Sequence, residues 1–326
     1  MSKVKYNFGW GNPYFLLDIL SDTYVQGQYH TDLKKLIYGP YEGIPTLIEE
    51  THKVIAQTTG QKYNHILITN GASSAVNCLL RKFKRDGGQV VHTTKYGYPS
   101  YEEMINRAGL KRVRNLDAPM VNLGLSRDLM TIQAIRLIDS PENPMGEQYT
   151  GGDDYRDIWD GVYHNKIYTQ YSHLQPKHKY FVGSYSKLLG VAGARVGFIA
   201  TNDTLAYEGL LAEARNELTG VSRPSQELIV NILKTIDLNA FMNRGFHVLG
   251  YNKEEFQKIE YLFDGQPVNE VGMFYCVKAD PKAVNILDNA GVEYVRLDDE
   301  TIRLSMGQTR EIVKDGIKSI LKEDGK

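Results

Sequence analysis

The chain has 326 residues, and its 38 basic and 39 acidic side chains leave a formal net charge of −1. This balance gives no global field that attracts nucleic acid or a membrane surface, and no apolar run reaches the roughly 18 residues of a membrane span. The first residues, MSKVKYNFGWGNPYF, lack an apolar core followed by a small-residue cleavage site, so we expect a cytoplasmic protein. Cys78 and Cys276 lie far apart in apolar contexts and are predicted to stay reduced in the core.

Strand and helix signals alternate through the first two thirds of the chain. Apolar residues at helical spacing predict helices at IPTLIEETHKVIAQTTG (44–60), ASSAVNCLLRKF (72–83) and SYEEMINRAG (100–109). Short runs of β-branched or aromatic residues predict strands at HILITNG (65–71), GQVVHTT (88–94), AIRLIDSP (134–141), KYFVGS (179–184) and ARVGFIA (194–200). Strands separated by helices pair in parallel through right-handed crossovers, so we expect an α/β domain built on a mostly parallel sheet.

The pattern changes after about residue 225. Long helical stretches, PSQELIVNILKTI and NAFMNRGFHVLGYNKEEFQKIEYLF, come before strand signals at MFYCVKA, VEYVRL and TIRLSMG and a final helix at REIVKDGIKSILKE. We therefore predict a large domain over 31–225 and a smaller α+β domain over 226–326. Residues 1–30 are predicted to pack with the small domain.

One lysine lies in a loop of small residues between two predicted strands. The segment GSYSKLLGVAGARVGF, residues 183–198, places Lys187 among Gly, Ser and Ala side chains. An isolated Ser-Lys-Leu-Leu-Gly also occurs as an exposed turn, but here buried strands flank the loop on both sides. Partial desolvation lowers the pKa of a lysine, and a neutral amine is a nucleophile toward carbonyl groups. We therefore predict that Lys187 is reactive.

Three further loops follow predicted strands, and ligands bind at the carboxyl ends of parallel strands. The backbone N–H groups of residues 71–73 open a helix and suit a phosphate, although an ordinary tight turn has the same composition. Asn143 lies between two prolines, where an asparagine is either a turn former or a ligand contact. Asp160 and Tyr163 lie three residues apart. Taken singly, they are also typical of a solvent-exposed acid and of an aromatic residue at the edge of the core. None of these signals identifies a site by itself.

Together, these features follow one chain order: a phosphate cradle, an aromatic, an Asn, Asp-x-x-Tyr, Ser-x-Ser-Lys and an Arg. That order resembles the class I/II aminotransferases of pyridoxal phosphate (PLP) fold type I, and the resemblance runs across almost the whole chain. YGPYEGIPTLIEE is similar to their Tyr-x-x-x-x-Gly-x-x-x-Leu segment, YGYPSY to Pro-x-aromatic-x-x-Tyr, and IRLSMG to Arg-Leu-Ser. The resemblance implies a seven-stranded, mostly parallel sheet flanked by helices and a small α+β domain.

A closer similarity is to the branch of alliinases and plant tryptophan aminotransferases. The step from Asn143 to Asp160 is only 17 residues, a shortened stretch that resembles that branch. The segments SKLLGVAGARVGF and TGVSRPSQELIVNILK are also similar to it. The epidermal-growth-factor-like extension and signal peptide of plant alliinases are missing, so we do not expect a vacuolar lyase of that kind.

The resemblance implies roles for three catalytic residues, Lys187, Asp160 and Tyr163. Lys187 would bind the cofactor aldehyde covalently and then move a proton between the substrate α-carbon and the cofactor C4′. Asp160 would pair with the pyridine nitrogen and keep it protonated, so that the ring accepts electrons. Tyr163 and Asn143 would hydrogen-bond the phenolic oxygen, and Tyr98 would stack on the ring unless it faces the core.

The remaining implied contacts concern the phosphate and the substrate. Within one subunit, the phosphate of the cofactor would be held by Gly71, Ala72, Ser73, Ser184, Ser186 and Arg195. Tyr38 would reach the phosphate that is bound in the neighbouring subunit. Contact through Tyr38 implies a homodimer with shared sites. Arg303 would bind the substrate α-carboxylate with its planar fork, unless it is a surface arginine at a strand edge. Gly9, Gly11 and Asn12 would lie over the substrate as an amino-terminal flap.

The chain departs from the family pattern at framework positions. Tyr96 replaces the first proline of the aromatic motif, Ile48 replaces an arginine, and Gly161 replaces a glutamate. If the family pattern is aligned differently in the short stretch before Asp160, another acid would be the partner of the pyridine nitrogen. The candidates are Asp153, Asp154 and Asp157.

The predicted function is that of a PLP-dependent aminotransferase, which moves an amino group between an L-amino acid and a 2-oxo acid. A PLP-dependent carbon–sulfur or other β-elimination lyase needs the same residues and stays an alternative. A non-catalytic PLP-binding regulatory protein is a further alternative, against which the intact lysine, aspartate and arginine argue. Side-chain specificity stays open, and for a second carboxylate the sequence suggests only Arg223, near the domain junction.

Overall fold

The computed structural model describes residues 4–24, 39–116, 133–149, 157–170, 172, 178–217 and 220–325. The strands are β1 (Tyr6–Asn7), β2 (His65–Thr69), β3 (Gly88–Thr93), β4 (Lys111–Val113), β5 (Gln133–Asp139), β6 (Asp157–Asp160), β7 (Tyr180–Ser184), β8 (Gly197–Thr201), β9 (Phe274–Lys278), β10 (Val292–Glu293), β11 (Val295–Arg296) and β12 (Thr301–Ser305). The helices are α1 (Tyr14–Thr23), α2 (Pro45–Thr59), α3 (Ala72–Arg85), α4 (Tyr101–Arg107), α5 (Tyr185–Leu188), α6 (Thr204–Glu217), α7 (Arg223–Thr235), α8 (Leu238–Gln257), α9 (Pro281–Asn289) and α10 (Arg310–Glu323). No helix in this described part is long and apolar enough to cross a membrane.

A seven-stranded sheet in the order β2-β8-β7-β6-β5-β3-β4 forms the centre of the fold. Its strands pair in parallel except β8, which runs antiparallel to both of its neighbours. Helices α3, α4 and α6 pack on one face in an apolar cluster, and α2 and α7 belong to a second cluster on the other side. Because both faces are covered, β6, β7 and β8 are buried along their whole length. The predicted α/β class with a mostly parallel sheet is confirmed.

β8 reverses direction because the chain returns to the same end of the sheet after β7. The link contains the four-residue helix α5 and a 3-10 turn at Ala192–Ala194, with no long crossover helix to bring a parallel strand back. Ser184 at the end of β7 is therefore paired with Gly197 at the start of β8. This strand is the antiparallel exception in the sheet that the sequence predicts to be mostly parallel. As a consequence, the whole lysine loop stays at the carboxyl end of β7.

The carboxyl-terminal part of the chain contains a separate antiparallel sheet in the order β11-β12-β9. Arg303 of β12 pairs with Cys276 of β9 in this sheet. The beginning of the chain joins the same region, because β1 pairs in parallel with β10 and places Tyr6 opposite Val292. α1 also packs against α8. Both cysteines are buried and outside any disulfide. The domain boundaries given above stay a prediction.

Candidate active site

A cavity of about 430 Å³ lies where β5, β6 and β7 end. Its wall gathers charged and polar residues that are far apart in the sequence, namely Asn143, Asp160, Tyr163, Lys187, Arg195 and Arg303. The same wall includes the predicted residues Gly11, Asn12, Ala72, Ser73, Tyr98, Ser184 and Ser186. Gly71 lies next to it under Arg195, and Tyr38 lies outside the described residues. No cluster of His, Cys, Asp or Glu in the described part could hold a metal ion.

Lys187 reaches the cavity from α5, the short helix that directly follows β7. Ser184 caps this helix by accepting a hydrogen bond from its backbone. The Lys187 side chain donates a hydrogen bond of 2.6 Å to the carbonyl oxygen of Gly11. Burial, together with the positive charges of Arg195 and Arg303, lowers the pKa of Lys187 to about 8. A neutral amine is therefore accessible near neutral pH, as attack on a carbonyl requires.

Asp160 is the last residue of β6, and its carboxyl group is buried. One oxygen accepts a hydrogen bond from Tyr101 Oη at 2.7 Å, and the other accepts one from Val162 N at 3.2 Å. Burial raises the pKa of Asp160 to about 6, and these two hydrogen bonds oppose the shift. A cation brought into the cavity would stabilise the ionised form of this acid.

Asp157 is the alternative acid that lies within the described residues. It begins β6 and is completely buried. Its two oxygens accept hydrogen bonds from Arg136 Nε and Nη2, each at 2.8 Å. This bidentate pair occupies the carboxylate, and Asp157 is not part of the cavity wall. Asp153 and Asp154 lie outside the described residues.

The amino terminus of α3 forms a cradle for an anion together with Arg195. Gly71 precedes the helix with a φ of 79°, and a Cβ at this position would lie 2.9 Å from Arg195 Nη2. A Cβ at Gly197 would lie 2.6 Å from the Gly71 carbonyl carbon and 2.7 Å from Ala72 N. The two glycines thus allow two backbone segments and a guanidinium to meet. Because the first N–H groups of a helix have no partner within it, this cradle suits a phosphate.

Arg303 is a buried residue of the central strand β12, not a surface arginine at a strand edge. Its Nη1 donates to Asn143 Oδ1 at 3.3 Å, and its Nη2 donates to the Gly9 carbonyl oxygen at 2.7 Å. The guanidinium carbon lies 4.4 Å from the centre of the Phe274 ring. Within the described part, Nε is buried without a hydrogen-bond partner. A buried fork with a spare donor suits a planar anion such as a carboxylate.

Aromatic residues complete the cavity. Tyr163 packs edge-on against Phe274, with ring centres 5.9 Å apart, and burial raises the pKa of its hydroxyl. Tyr98 lies in the loop between β3 and α4 and packs edge-on against Tyr101 at 5.6 Å. Tyr98 lines the cavity and also packs against the apolar cluster on that face of the sheet.

Tyr101 and Asp139 line the cavity but were not among the predicted site residues. Tyr101 begins α4 three residues after Tyr98, inside the aromatic motif. Asp139 ends β5 and accepts a hydrogen bond from Asn143 N at 3.1 Å. A polar residue at the end of a predicted strand was the signal for Asp139, since ligand sites gather at that edge of a parallel sheet.

Sequence comparison identifies the family. A family model for aminotransferase class I and II matches residues 5–320. The chain belongs to the class I and II aminotransferases. No match was found among curated proteins. The prediction of a PLP-dependent aminotransferase is confirmed, because this family is PLP-dependent. Membership in the branch of alliinases and tryptophan aminotransferases is not confirmed.

Solved structures share the fold of this aminotransferase. A double mutant of Thermus thermophilus aspartate aminotransferase superposes with a TM-score of 0.75 at 18% identity, covering 98% of this chain and 91% of that one. The aromatic aminotransferase of Pyrococcus horikoshii gives a TM-score of 0.72 at 18% identity, with 98% and 96% covered. A Methanococcus jannaschii protein, described as similar in its active site to kynurenine aminotransferases, gives 0.70 at 21% identity, with 98% and 91% covered. At these identities the likeness concerns the fold.

Pyridoxal phosphate fits the donors of the aminotransferase cavity. A Cβ at Gly71 would lie 2.9 Å from Arg195 Nη2, so the glycine lets the guanidinium approach the amino terminus of α3, where a phosphate would bind. Lys187 offers an amine for the aldehyde, and Asp160 offers a buried acid for the ring nitrogen. The three chemical ends of the cofactor thus each have a matching group on one cavity wall.

Proposed function

We propose that the chain binds PLP in this cavity and moves an amino group between an L-amino acid and a 2-oxo acid. The meeting of Lys187, Asp160 and Arg303 on one cavity wall is the observation that carries the proposal. Amino transfer needs an amine that gives up its proton, an acid for the cofactor ring, and a cation for the substrate carboxylate. Each need corresponds to one of these side chains.

The phosphate would be held by the cradle at the start of α3. Arg195 provides charge, and the hydroxyl groups of Ser184 and Ser186 line the same cavity. The N–H groups of Ala72 and Ser73 add the positive end of a helix. A site that combines a positive charge with backbone N–H donors suits the tetrahedrally arranged oxygens of a phosphate.

Bound PLP supplies an aldehyde for covalent attachment and a ring that takes up the electron pair released at the substrate α-carbon. With PLP bound, Lys187 would remove the proton from the α-carbon and return it at C4′, a role that its lowered pKa favours. Asp160 holds the proton on the ring nitrogen, with Tyr101 keeping its carboxylate in place. Tyr163 and Asn143 would hydrogen-bond the phenolic oxygen, and Tyr98 would stack on the ring.

Arg303 binds the α-carboxylate of the substrate. Its fork already contacts Asn143 Oδ1 and the Gly9 carbonyl, so a carboxylate replaces the weaker, neutral acceptor Gly9 O. Gly11 and Asn12 follow on the same segment and line the cavity, which supports a flap over the substrate.

Further properties are proposed with this activity. We infer a homodimer in which Tyr38 reaches the phosphate of the neighbouring site, and a cytoplasmic enzyme, which the two cysteines outside any disulfide support. The short step from Asn143 to Asp160 supports a place near the alliinases and tryptophan aminotransferases. Arg223, the cation that the sequence suggested for a second carboxylate, pairs with Glu227 at 3.1 Å on α7 and is not among the residues that line the cavity.

A two-part assay tests the activity. The PLP-loaded protein is given each of the twenty amino acids with 2-oxoglutarate, and the new amino acid and 2-oxo acid are measured together. Cysteine-type substrates are then given without an acceptor. Stoichiometric pairs of products support amino transfer, whereas pyruvate and ammonia without an acceptor identify a β-elimination lyase. Bound PLP without turnover of any substrate identifies a non-catalytic protein.

A further inference from the structure

Two buried aspartates end adjacent strands at the cavity. Asp139 ends β5 and Asp160 ends β6, and the two residues are direct partners in the parallel pairing of these strands. Asp139 is 4% exposed and Asp160 is 8% exposed, and both line the cavity. The proposed function uses the charge of Asp160. It gives no role to Asp139.

Asp139 connects two loops that carry cofactor contacts. Its Oδ2 accepts a hydrogen bond from Asn143 N at 3.1 Å, which fixes the turn that presents the Asn143 side chain. Its Oδ1 lies 3.3 Å from the hydroxyl of Thr94, in the loop that leads from β3 to Tyr98. Loss of these contacts would release both loops at once.

The surroundings of Asp139 disfavour a negative charge. Asp160 faces it from β6, and the buried Glu142, which accepts a hydrogen bond from Gly97 N at 3.2 Å, faces it from its own turn. Burial first, and then these two carboxyl groups, raise the pKa of Asp139 well above its ordinary range. The Tyr101 hydroxyl donates its proton to Asp160 at 2.7 Å and not to Asp139.

The charge of Asp139 acts on Arg112 of β4, but the guanidinium of Arg112 is hydrogen-bonded to other groups. Arg112 of β4 donates to Glu102 at 3.1 Å, to Thr93 Oγ1 at 2.8 Å and to the Tyr96 carbonyl at 2.7 Å. Among the residues that the structure describes, no cation forms an ion pair with Asp139. Two ionised acids on adjacent strands, with one of them unpaired, would be costly in so buried a place.

We propose that Asp139 is a positioning residue that works as a neutral carboxylic acid, holding the Asn143 turn and the Thr94 loop while Asp160 alone carries charge toward the cofactor ring. A neutral acid satisfies both contacts, since one oxygen accepts from Asn143 N and the protonated oxygen donates to the Thr94 hydroxyl, which can accept. An asparagine side chain has the same shape, one acceptor and one donor group. The role of Asp160 toward the cofactor ring rests on the proposed function, but the protonation of Asp139 does not.

The first test compares Asp139→Ala with Asp139→Asn in PLP binding. Asp139→Ala is expected to raise the dissociation constant for PLP at least about tenfold, because both loops lose their anchor. Asp139→Asn is expected to restore the constant to within about threefold of the parent and to keep the pH midpoint of the bound-cofactor absorbance. A shift of that midpoint by about one unit in Asp139→Asn, or full affinity in Asp139→Ala, overturns the proposal.

A second test uses the protein without PLP, so that it stands even if the proposed function fails. An acid whose pKa is raised in the folded state makes the protein lose stability as pH rises above the unfolded value. The melting temperature of Asp139→Asn relative to the parent is therefore expected to increase from pH 5 to pH 8. A difference that stays constant or falls with pH overturns a neutral Asp139.

The matched control is the same substitution at Asp157, the ion-paired acid of β6. Asp157→Asn removes one charge from the bidentate pair with Arg136, and is expected to lower the melting temperature at both pH values. Stabilisation by both substitutions alike would show a general effect of removing acidic charge and would also overturn the proposal.

Discussion

Lys187 donates a hydrogen bond of 2.6 Å to the carbonyl oxygen of Gly11, which lies 176 positions earlier in the chain. Arg303 contacts Gly9 of the same segment, at 2.7 Å. The two cations proposed to meet cofactor and substrate are therefore both bound to the amino-terminal segment. Binding of a carboxylate at Arg303 competes directly with this segment.

The two tryptophans of the chain allow the movement of this segment to be observed. Trp10, between Gly9 and Gly11, is 57% exposed, whereas Trp159 is completely buried. We expect the tryptophan emission of the PLP-loaded protein to shift when an amino-acid substrate is added, because Trp10 changes its surroundings. The shift is measured by steady-state fluorescence. It should vanish in Trp10→Phe and persist in Trp159→Phe, and the reverse pattern would contradict movement of the segment.

Removal of Lys187 tests the covalent step. Lys187→Ala is expected to lower the rate of amino transfer by about 10²–10⁴-fold, the usual worth of a positioned acid–base group. Borohydride treatment of the PLP-saturated protein followed by peptide mass spectrometry should place the cofactor on position 187 only. Lys253 is a matched control, because burial also lowers its pKa to about 8 while it contacts the Glu270 carbonyl. Lys253→Ala should keep both labelling and rate, and labelling at Lys253 would contradict the assignment.

The pKa of Lys187 predicts a pH dependence. Attack on the aldehyde needs the neutral amine, and the pKa of Lys187 is lowered to about 8. The initial rate of PLP capture by the unloaded protein should rise with pH, changing about tenfold per unit below the pKa and levelling above it. Stopped-flow absorbance between pH 6 and pH 10 measures this rate. A midpoint near the ordinary lysine pKa of 10.5 would show that the cavity does not perturb this amine.

Tyr101→Phe tests the support of Asp160. The hydroxyl donates to the carboxylate at 2.7 Å and opposes the upward shift of its pKa, so its removal should raise the pKa of Asp160 above about 6. A hydrogen bond to a charged group contributes about 1.5–3 kcal/mol, and we expect PLP affinity to fall about tenfold or more. The measurement is a cofactor titration followed by absorbance.

A matched tyrosine separates this effect from general destabilisation. Tyr185 is equally buried, and its hydroxyl forms a hydrogen bond of 2.7 Å with Thr51. Tyr185→Phe should lower the melting temperature as Tyr101→Phe does while leaving PLP affinity close to the parent value. Equal losses of affinity in the two variants would remove the special role of Tyr101.

Gly71→Ala tests the cradle. The added methyl group would lie 2.9 Å from Arg195 Nη2, on a backbone with a φ of 79°. We expect PLP affinity to fall at least about tenfold, in addition to about 1 kcal/mol of backbone strain. Gly60→Ala is the control, because Gly60 ends α2 with a φ of 72° and does not line the cavity. It should cost similar stability and leave PLP affinity unchanged, whereas an unaffected Gly71→Ala would contradict a phosphate in this cradle.

The sequence predicts those parts of the fold that depend on local pattern. The helix at Pro45–Thr59 begins with a proline and ends at Gly60, and the buried β7 follows from a run of apolar residues. Lys187 and Asn143 were found because each lies in a loop after such a strand. The direction of β8 was not found, since it depends on a tertiary return and not on the residues of the strand.

Contacts through space account for what the sequence did not predict in the site. Tyr101 matters because its hydroxyl reaches Asp160, 59 positions away, and a tyrosine at the start of a helix carries no sign of this. Asp139 matters because strand pairing places it next to Asp160. The burial of Arg303 depends on its place in the central strand of a small sheet, which the Arg-Leu-Ser motif alone does not specify.

The antiparallel return between β7 and β8 has a consequence for engineering. It carries Lys187 and Arg195 on one continuous piece of backbone, which contains the short helix α5 and the turn at Ala192–Ala194. A circular permutant opened at Gly193 would place these two groups near opposite termini and should bind PLP more weakly. A permutant opened at the exposed Gly265, outside the cavity wall, should bind PLP as the parent does.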